Sequence, residues 1–383
     1  MHAEVPFPTL LSAVKALKPY TAVPARTAPT FYYLHLRAVD DALILTATTG
    51  AETARVALPA RTEDGSAAIT PEQLIKALTV LKPKGRKAAA ATASLSVGNG
   101  RWSLSVDGGP LVSLNLDAQP DKAVALPPMT APTPVALAIA SDWCAVITKV
   151  GWAAGRDAEA LPSLAAVHLT RAAGAALIVE ATDRYRVHRA RWTEPAGGDP
   201  VDALMPAAAA DRAAKLFTAC DRDGKLRVEV DSERIRWQTD SVQLSARLTT
   251  DRYPNLDTVR DEALRRADLR FTADRPAFLA AADTALALAP ATESATVRVE
   301  PIEEATVDIS VTGGNSTVAV HRTSLPITTR SGRSHPLTFH PALLRSALAF
   351  LDGPHVDIAA GLHNAAYLTS GDREALVMQI RTP

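Results

Sequence analysis

The chain has 383 residues, 47% of them apolar, enough for several hydrophobic cores and a prior of two to four domains. Lysine plus arginine equals aspartate plus glutamate, 41 each, so net charge gives no sign of a nucleic-acid partner; any such surface must come from how charge is distributed. The first residues lack a basic run and carry Pro6 and Pro8, no run approaches the ~18 apolar residues of a membrane span, and Cys144 and Cys220 are far apart, so the expectation is a cytoplasmic protein with reduced thiols.

In chain order, Phe7 to Lys18 predicts an amphipathic helix, with Leu10, Leu11, Val14 and Leu17 at spacings of three and four. A strand pattern follows at Leu43 to Thr49, and a short strand at Ala67 to Ile69 leads into a second helix, Pro71 to Lys82. Ser94 to Val106 reads as a hairpin around Asn99-Gly100, and Leu111 to Leu116 as one more strand. The proline-rich stretch Asp117 to Pro134 reads as a first boundary.

Helices are predicted again at Asp142 to Ala154 and Pro206 to Ala219. Lys225 to Leu248 supplies strands of period two, as in Leu226, Val228 and Val230, and the charged stretch Arg260 to Asp268 reads as a second boundary. The last two helices are Asp274 to Leu288 and His340 to Leu351; between them lie a hairpin around Gly313-Gly314-Asn315 and a short strand, Leu337 to Phe339.

The pattern is one unit repeated six times: a strand, a helix, then two or three antiparallel strands. Paired units predict an α+β fold of three similar domains, at 1–130, 135–259 and 266–383.

No catalytic constellation emerges, and no cofactor or metal is expected. The nine histidines lack metal-ligand spacing, and there is no P-loop, G-x-S-x-G or G-x-G-x-x-G. Asp221-Arg222-Asp223-Gly224 hints at a calcium loop, but Ser232 stands where a glutamate is needed, so a hairpin turn is the reading. A hydrolase using Asp183 with His188 or His168 stays open as an alternative from another class.

Three further segments carry a family resemblance. Ala181-Thr182-Asp183-Arg184-Tyr185-Arg186-Val187, within Leu161 to Ala190, is similar to the A-T-D-x-[HF]-R-L signature of the bacterial DNA polymerase III β subunits, the sliding clamps; its Arg-aromatic pair resembles the actinobacterial version. Arg252 to Val259 resembles the family's R-[FY]-P-D-Y-x-x-V segment, and Leu376 to Arg381 its terminal V-V-M-P-M-R. The resemblance is best over residues 135–383.

It implies a non-enzymatic processivity factor: a homodimeric ring around double-stranded DNA, helices lining the hole and sheets outside, nucleoid-associated in the cytoplasm. Partners, the polymerase III α subunit and the clamp loader among them, would dock short linear peptides in an apolar cleft. That cleft would be lined by Leu164, Thr182, Tyr185, Val187, Pro254, Val259, Leu376, Met378 and Ile380, with Arg381 beside it.

The DNA-facing cations would be Arg26, Lys15, Lys76, Lys82, Lys149, Arg212, Lys215, Arg275 and Arg345, dispersed as a sliding, sequence-independent surface requires. Val112 and Leu114 would meet the second copy. Thr182-Asp183 also fits a turn held by side-chain–backbone hydrogen bonds. Departures at Asn255, Gln379, Ile380 and the Thr382-Pro383 tail imply a reshaped pocket rim, and a specialised paralogue with altered partner or inhibitor binding is the alternative within the class.

Overall fold

The computed structural model describes residues 1–21, 31–85, 89–116, 124–193, 198–288, 296–303, 306–312 and 319–380. All six expected helices form, each entered from a strand and followed by strands. The first module is β1 (His2–Pro6), α1 (Phe7–Leu17), β2 (Leu34–Val39), β3 (Ala42–Thr48), β4 (Glu52–Pro59) and β5 (Arg61–Glu63). The second is β6 (Gly65–Ile69), α2 (Pro71–Val80), β7 (Thr92–Gly98), β8 (Arg101–Val106) and β9 (Val112–Asn115). The third is β10 (Thr133–Ile139), α3 (Ala140–Gly151), β11 (Ala166–Arg171), β12 (Leu177–Thr182) and β13 (Arg186–Trp192). The fourth is β14 (Val201–Pro206), α4 (Ala207–Cys220), β15 (Lys225–Val230), β16 (Arg234–Gln238) and β17 (Val242–Arg247).

A helix outside the repeat, α5 (Leu256–Arg266), follows. The fifth module is β18 (Leu269–Asp274), α6 (Arg275–Leu288), β19 (Thr296–Glu303), β20 (Thr306–Thr312) and β21 (Ala319–Gly332). The sixth is β22 (Leu337–Phe339), α7 (Pro341–Phe350), β23 (His355–Ala360), β24 (Ala366–Ser370) and β25 (Arg373–Val377).

Local chemistry explains these elements. Pro6 precedes α1, and Pro71 and Pro341 open α2 and α7, where a missing N–H costs nothing. The α1 stripe Leu10, Ala13, Val14 and Leu17 is fully buried. Asn99 and Gly100, at φ 52° and 69°, make the two-residue turn joining β7 to β8, as the Asn-Gly pair predicts. The Asp221 turn is not a hairpin. It joins α4 to β15, and its carboxylate accepts hydrogen bonds from Thr239 and Ser241 at 2.6 and 2.7 Å. The hairpin tip at Gly313-Gly314-Asn315 lies outside the described residues.

By compactness the chain forms two units. The first comprises Met1–Ala145, Gly197–Val201 and Ala208–Leu248. It holds a five-stranded sheet, β5-β1-β7-β8-β9, and an eight-stranded one, β10-β15-β16-β17-β4-β3-β2-β6. Its core includes Trp102, Trp237 and Phe217, with α1 packed on α2. The second unit comprises Val146–Ala196, Asp202–Ala207 and Thr249–Pro383. It holds a twelve-stranded sheet, β14-β11-β12-β13-β25-β24-β23-β18-β21-β20-β19-β22, with α6 packed on α7.

One pairing rule recurs. β17, closing the fourth module, pairs antiparallel with the first half of β4, from Ala246↔Glu52 to Val242↔Val56. β25, closing the sixth, pairs in the same way with the first half of β13, from Arg186↔Val377 to Ala190↔Arg373. The sheets therefore run on through both sequence boundaries. Among the described residues no helix is long and apolar enough to cross a membrane. Cys144 and Cys220 are free thiols, both pushed up to about 12 by burial.

Candidate functional site: an apolar cleft in the second unit

The hairpin between β12 and β13 is built by its own side chains. The Thr182 hydroxyl donates to the Arg186 carbonyl at 2.7 Å and accepts from the Arg184 N–H at 3.1 Å. Asp183 Oδ1 accepts the N–H groups of Tyr185 and Arg186, both at 3.0 Å, and its Oδ2 accepts from Arg186 Nε at 3.1 Å. Asp183 is thus a turn residue, as Asx-type turns require. The geometry holds Arg184 at φ 77° and leaves Tyr185 59% exposed.

β25 lies beside β13 with Val187 opposite Leu376, and the Met378 N–H donates to the Tyr185 carbonyl at 2.8 Å. Two chain segments nearly two hundred positions apart so form one wall. α5 forms the other. Its cap is Asn255, whose side-chain oxygen accepts the Thr258 N–H at 3.2 Å, the role an aspartate there would also fill. Leu256 and Ala263 are buried in a cluster with Val187, Ala365 and Leu376, against which Tyr253 and Tyr367 pack.

An ion-pair chain ties α5 to the sheet. Arg189 donates to Asp257 at 2.5 Å and lies 3.5 Å from Glu180, whose other oxygen is 2.9 Å from His168 Nδ1. The Arg189 hydrogen bond holds the Asp257 carboxyl below its ordinary pKa.

Between these walls is a cleft of about 700 Å³, a volume suited to a few side chains of a docked segment. Leu164, Thr182, Tyr185, Val187, Pro254, Val259, Leu376 and Met378 all line it. Ile380 does not; its N–H donates to the Thr338 carbonyl at 2.8 Å. Arg381 lies outside the described residues. Sequence reasoning missed Leu161, Arg184, Arg252, Tyr253, Leu256 and Ala365, which also line the cleft. Gln379 donates to the carbonyls of Gly361 and Asn364, at 2.7 and 2.6 Å, and so pins the tail beside Ala365.

The residues of the alternative hydrolase reading are dispersed. His168 bridges Glu180 and Asp202; burial pulls its pKa down, but those two hydrogen bonds outweigh burial and leave it raised. His188 is fully buried, shares a hydrogen bond of 2.9 Å with the Lys149 carbonyl and stacks on Phe350. Neither reaches Asp183, which is spent on its turn. Among the described residues no cluster of potential metal ligands occurs.

Burial lowers the His188 pKa from 6.5 to about 3, so it is neutral in the folded chain, whereas the unfolded chain takes up a proton below pH 6.5. Its contribution to stability is therefore complete above pH 6.5 and is lost as pH falls toward 3, by about 2 kcal/mol between pH 7 and pH 5. His168, with its raised value, acts in the opposite sense. Urea titrations of wild type and His188→Asn at both pH values isolate the term: the variant is expected to be weaker at pH 7 but to lose about 2 kcal/mol less on acidification. Equal losses would contradict a neutral buried imidazole.

The expected DNA-facing cations divide. Lys15, Lys76 and Lys82, on or just after α1 and α2, are exposed and in no ion pair among the described residues. Arg212 is paired with the buried Glu52, donating from Nε at 2.8 Å, Lys215 with Asp211 at 2.7 Å, and Arg345 with Asp283 at 2.8 Å. Arg275 donates to the carbonyls of Gly353 and Leu348. Lys149 is half-buried, and burial with the nearby charge of Arg373 lowers its pKa. Arg26 lies outside the described residues. Val112 and Leu114 stand on β9, the edge of the five-stranded sheet, with Leu114 39% exposed.

No family model matches the chain, and no curated protein matches it by sequence. Solved structures do match in fold, over 100% of both chains. The DNA polymerase β subunit of Streptococcus pyogenes aligns with a TM-score of 0.85 at 17% identity, and the DNA polymerase sliding clamp of Bacillus subtilis with 0.84 at 17%. A sliding clamp of Pseudomonas aeruginosa bound to griselimycin aligns with 0.83 at 16%. With its repeated modules and extended antiparallel sheets, the chain has the fold of the bacterial DNA polymerase III β subunits, the sliding clamps.

Proposed function

We propose that the protein is a sliding clamp. Two copies close into a ring of six paired-module domains, at 1–130, 135–259 and 266–383 in each chain, around duplex DNA. Polymerase III α subunit, clamp loader and other partners are held through short peptides seated in the cleft. The chain contributes no catalysis of its own and works in the cytoplasm, where its DNA is.

The observation that carries this reading is the pairing rule. β17 takes the first half of β4, and β25 takes the first half of β13. Two strands occupy the same places in the repeat without that partner. β9 pairs only with β8, and residues 319–326 of β21 pair only with β20, among the described residues. Open edges invite addition of a strand. Pairing β9 of one copy with β21 of the other applies the same rule twice more, satisfies both edges, and closes the ring.

A closed ring is held on DNA by topology. Loaded onto a nicked plasmid by its clamp loader, the protein is expected to co-elute with the DNA and to be released when the plasmid is linearised. Equal retention on linear DNA would argue for ordinary surface binding.

The helices supply the phosphate attraction. Replacing Lys15, Lys76 and Lys82 together by alanine is expected to lower the slope of log affinity against log salt by about two to three, with no change in sequence preference. An unchanged slope would place these lysines away from DNA.

A further inference from the structure

The eight-stranded sheet of the first unit has a second feature, far in sequence from the cleft. On β2, β3 and β4 its core face is apolar: Leu36, Leu43, Leu45, Ala54 and Val56 are at most 1% exposed. Strand alternation puts His35, Arg37, Ile44, Thr46 and Arg55 on the opposite face. A cavity of about 390 Å³ lies there, within the range of small-molecule sites. The register lays two rows across it, His35–Thr46–Arg55 and Ser66–Arg37–Ile44. Arg37 and Arg55 therefore stand roughly 12 Å apart at the backbone, with β3 between them.

The other wall is a strap, Val124 to Leu126, from the proline-rich segment. The strap is tied down just beyond the cavity. Arg236 of β16 donates to the Pro127 carbonyl, and the Thr130 N–H donates to the Asp231 carboxylate at 3.0 Å. Val124 and Leu126 are half-buried, so an apolar wall faces a cationic one.

Two observations separate this cavity from an ordinary solvated sheet face. Arg37 and Arg55 form no ion pair or hydrogen bond among the described residues, and no described lining residue is acidic. Thr46 is 5% exposed, yet its hydroxyl has no hydrogen-bond partner among the described residues. Buried polar groups are ordinarily paired. Two uncompensated cations and a spare hydroxyl thus line one cavity.

We propose that this cavity binds a small phosphate monoester. Arg37, Arg55 and Thr46 hold the phosphoryl group, and the organic part lies between Ile44 and the strap residues Val124 and Leu126. Charge selects the class: a phosphate monoester carries about −1.5 to −2 near neutral pH and matches two guanidiniums, whereas a single carboxylate leaves one uncompensated. The planar donor forks of arginine suit phosphate oxygens. A cavity of this volume, roofed by the strap, holds one such molecule and not a length of nucleic acid or peptide.

The test is titration calorimetry of the full chain at low salt, with adenosine 5′-monophosphate as the probe. One molecule is expected to bind per chain, with a dissociation constant below about 1 mM. Adenosine and inorganic phosphate should each bind at least about tenfold more weakly. Arg37→Ala and Arg55→Ala should each weaken the probe about tenfold. Leu126→Ala should weaken the probe but not inorganic phosphate. Neither arginine has a partner to lose, so melting curves of their variants should match wild type. The Lys15→Ala, Lys76→Ala, Lys82→Ala triple variant should bind the probe as wild type does.

Absence of saturable binding overturns the inference. So does probe binding that needs the three lysines and not the two arginines, or inorganic phosphate that binds as tightly as the probe. The sliding-clamp reading is independent of all these outcomes.

Discussion

Ser113→Pro is expected to leave the protein folded but to raise the dissociation constant of its dimer by about ten-thousandfold, because a two-copy ring carries the substitution at both of its joints. The Leu116 N–H donates to the Gly100 carbonyl at 2.9 Å, and the β8–β9 register runs Arg101↔Asn115, Trp102↔Leu114, Ser103↔Ser113. Hydrogen-bonded pairs alternate in an antiparallel ladder, so Leu114 faces β8 with its N–H while Ser113 and Asn115 present theirs to the open edge. Proline at 113 removes an outward donor and places a ring in the path of an incoming strand, at a cost of about 3 kcal/mol to the pairing. It spares the ladder to β8. Sedimentation across a concentration series reads the result: wild type as two copies, the variant as one. Leu114→Asp, at a 39% exposed position, should weaken the dimer in the same direction. A dimer unaffected by Ser113→Pro would show that β9 is not the joining edge.

The second large effect concerns the cleft. Val259 stands on α5, 41% exposed, and Met378 follows β25, 39% exposed. Neither is needed to fill a core, so substitutions there should shift the melting temperature little. Both line the cleft, and in the proposed docking mode each would face apolar anchors worth about 1.5–3 kcal/mol when buried. Met378→Ala is therefore expected to weaken an apolar peptide about tenfold. Val259→Asp, which puts a carboxylate where an anchor must be desolvated, should weaken it more than about a hundredfold. Polarisation titrations with unchanged melting curves would confirm a surface docking site. Unchanged affinity in both variants would remove the cleft from the account.

The repeat was legible because each helix carries its apolar stripe at spacings of three and four and follows a short strand. α5 was not. Its run Arg260, Asp261, Glu262, Arg265, Arg266 reads as a charged boundary, and only Leu256 and Ala263 are buried on it. The signal was nevertheless present in the Asn255 cap and in Leu256, Val259 and Ala263, three and four apart.

The cleft was largely legible through its motifs, yet its assembly was not. The Val187–Leu376 register joins distant strands, and Leu161 and Ala365 carry no local pattern that announces a pocket. Ile380 was misplaced because its neighbour Met378 lines the cleft while the chain then turns to bond Thr338. For the cations, sequence position could not distinguish the exposed Lys76 from Arg212, whose charge Glu52 already compensates.

The central claim is geometric: modules that repeat one strand pairing within a chain repeat it between chains until the circuit closes. Electron-microscope particle averages of the purified protein, taken well above the dimer's dissociation constant, test it most directly. The account predicts a closed two-copy ring with an opening wide enough for duplex DNA. Particles that remain solid, or that join through faces leaving β9 bare, would contradict it.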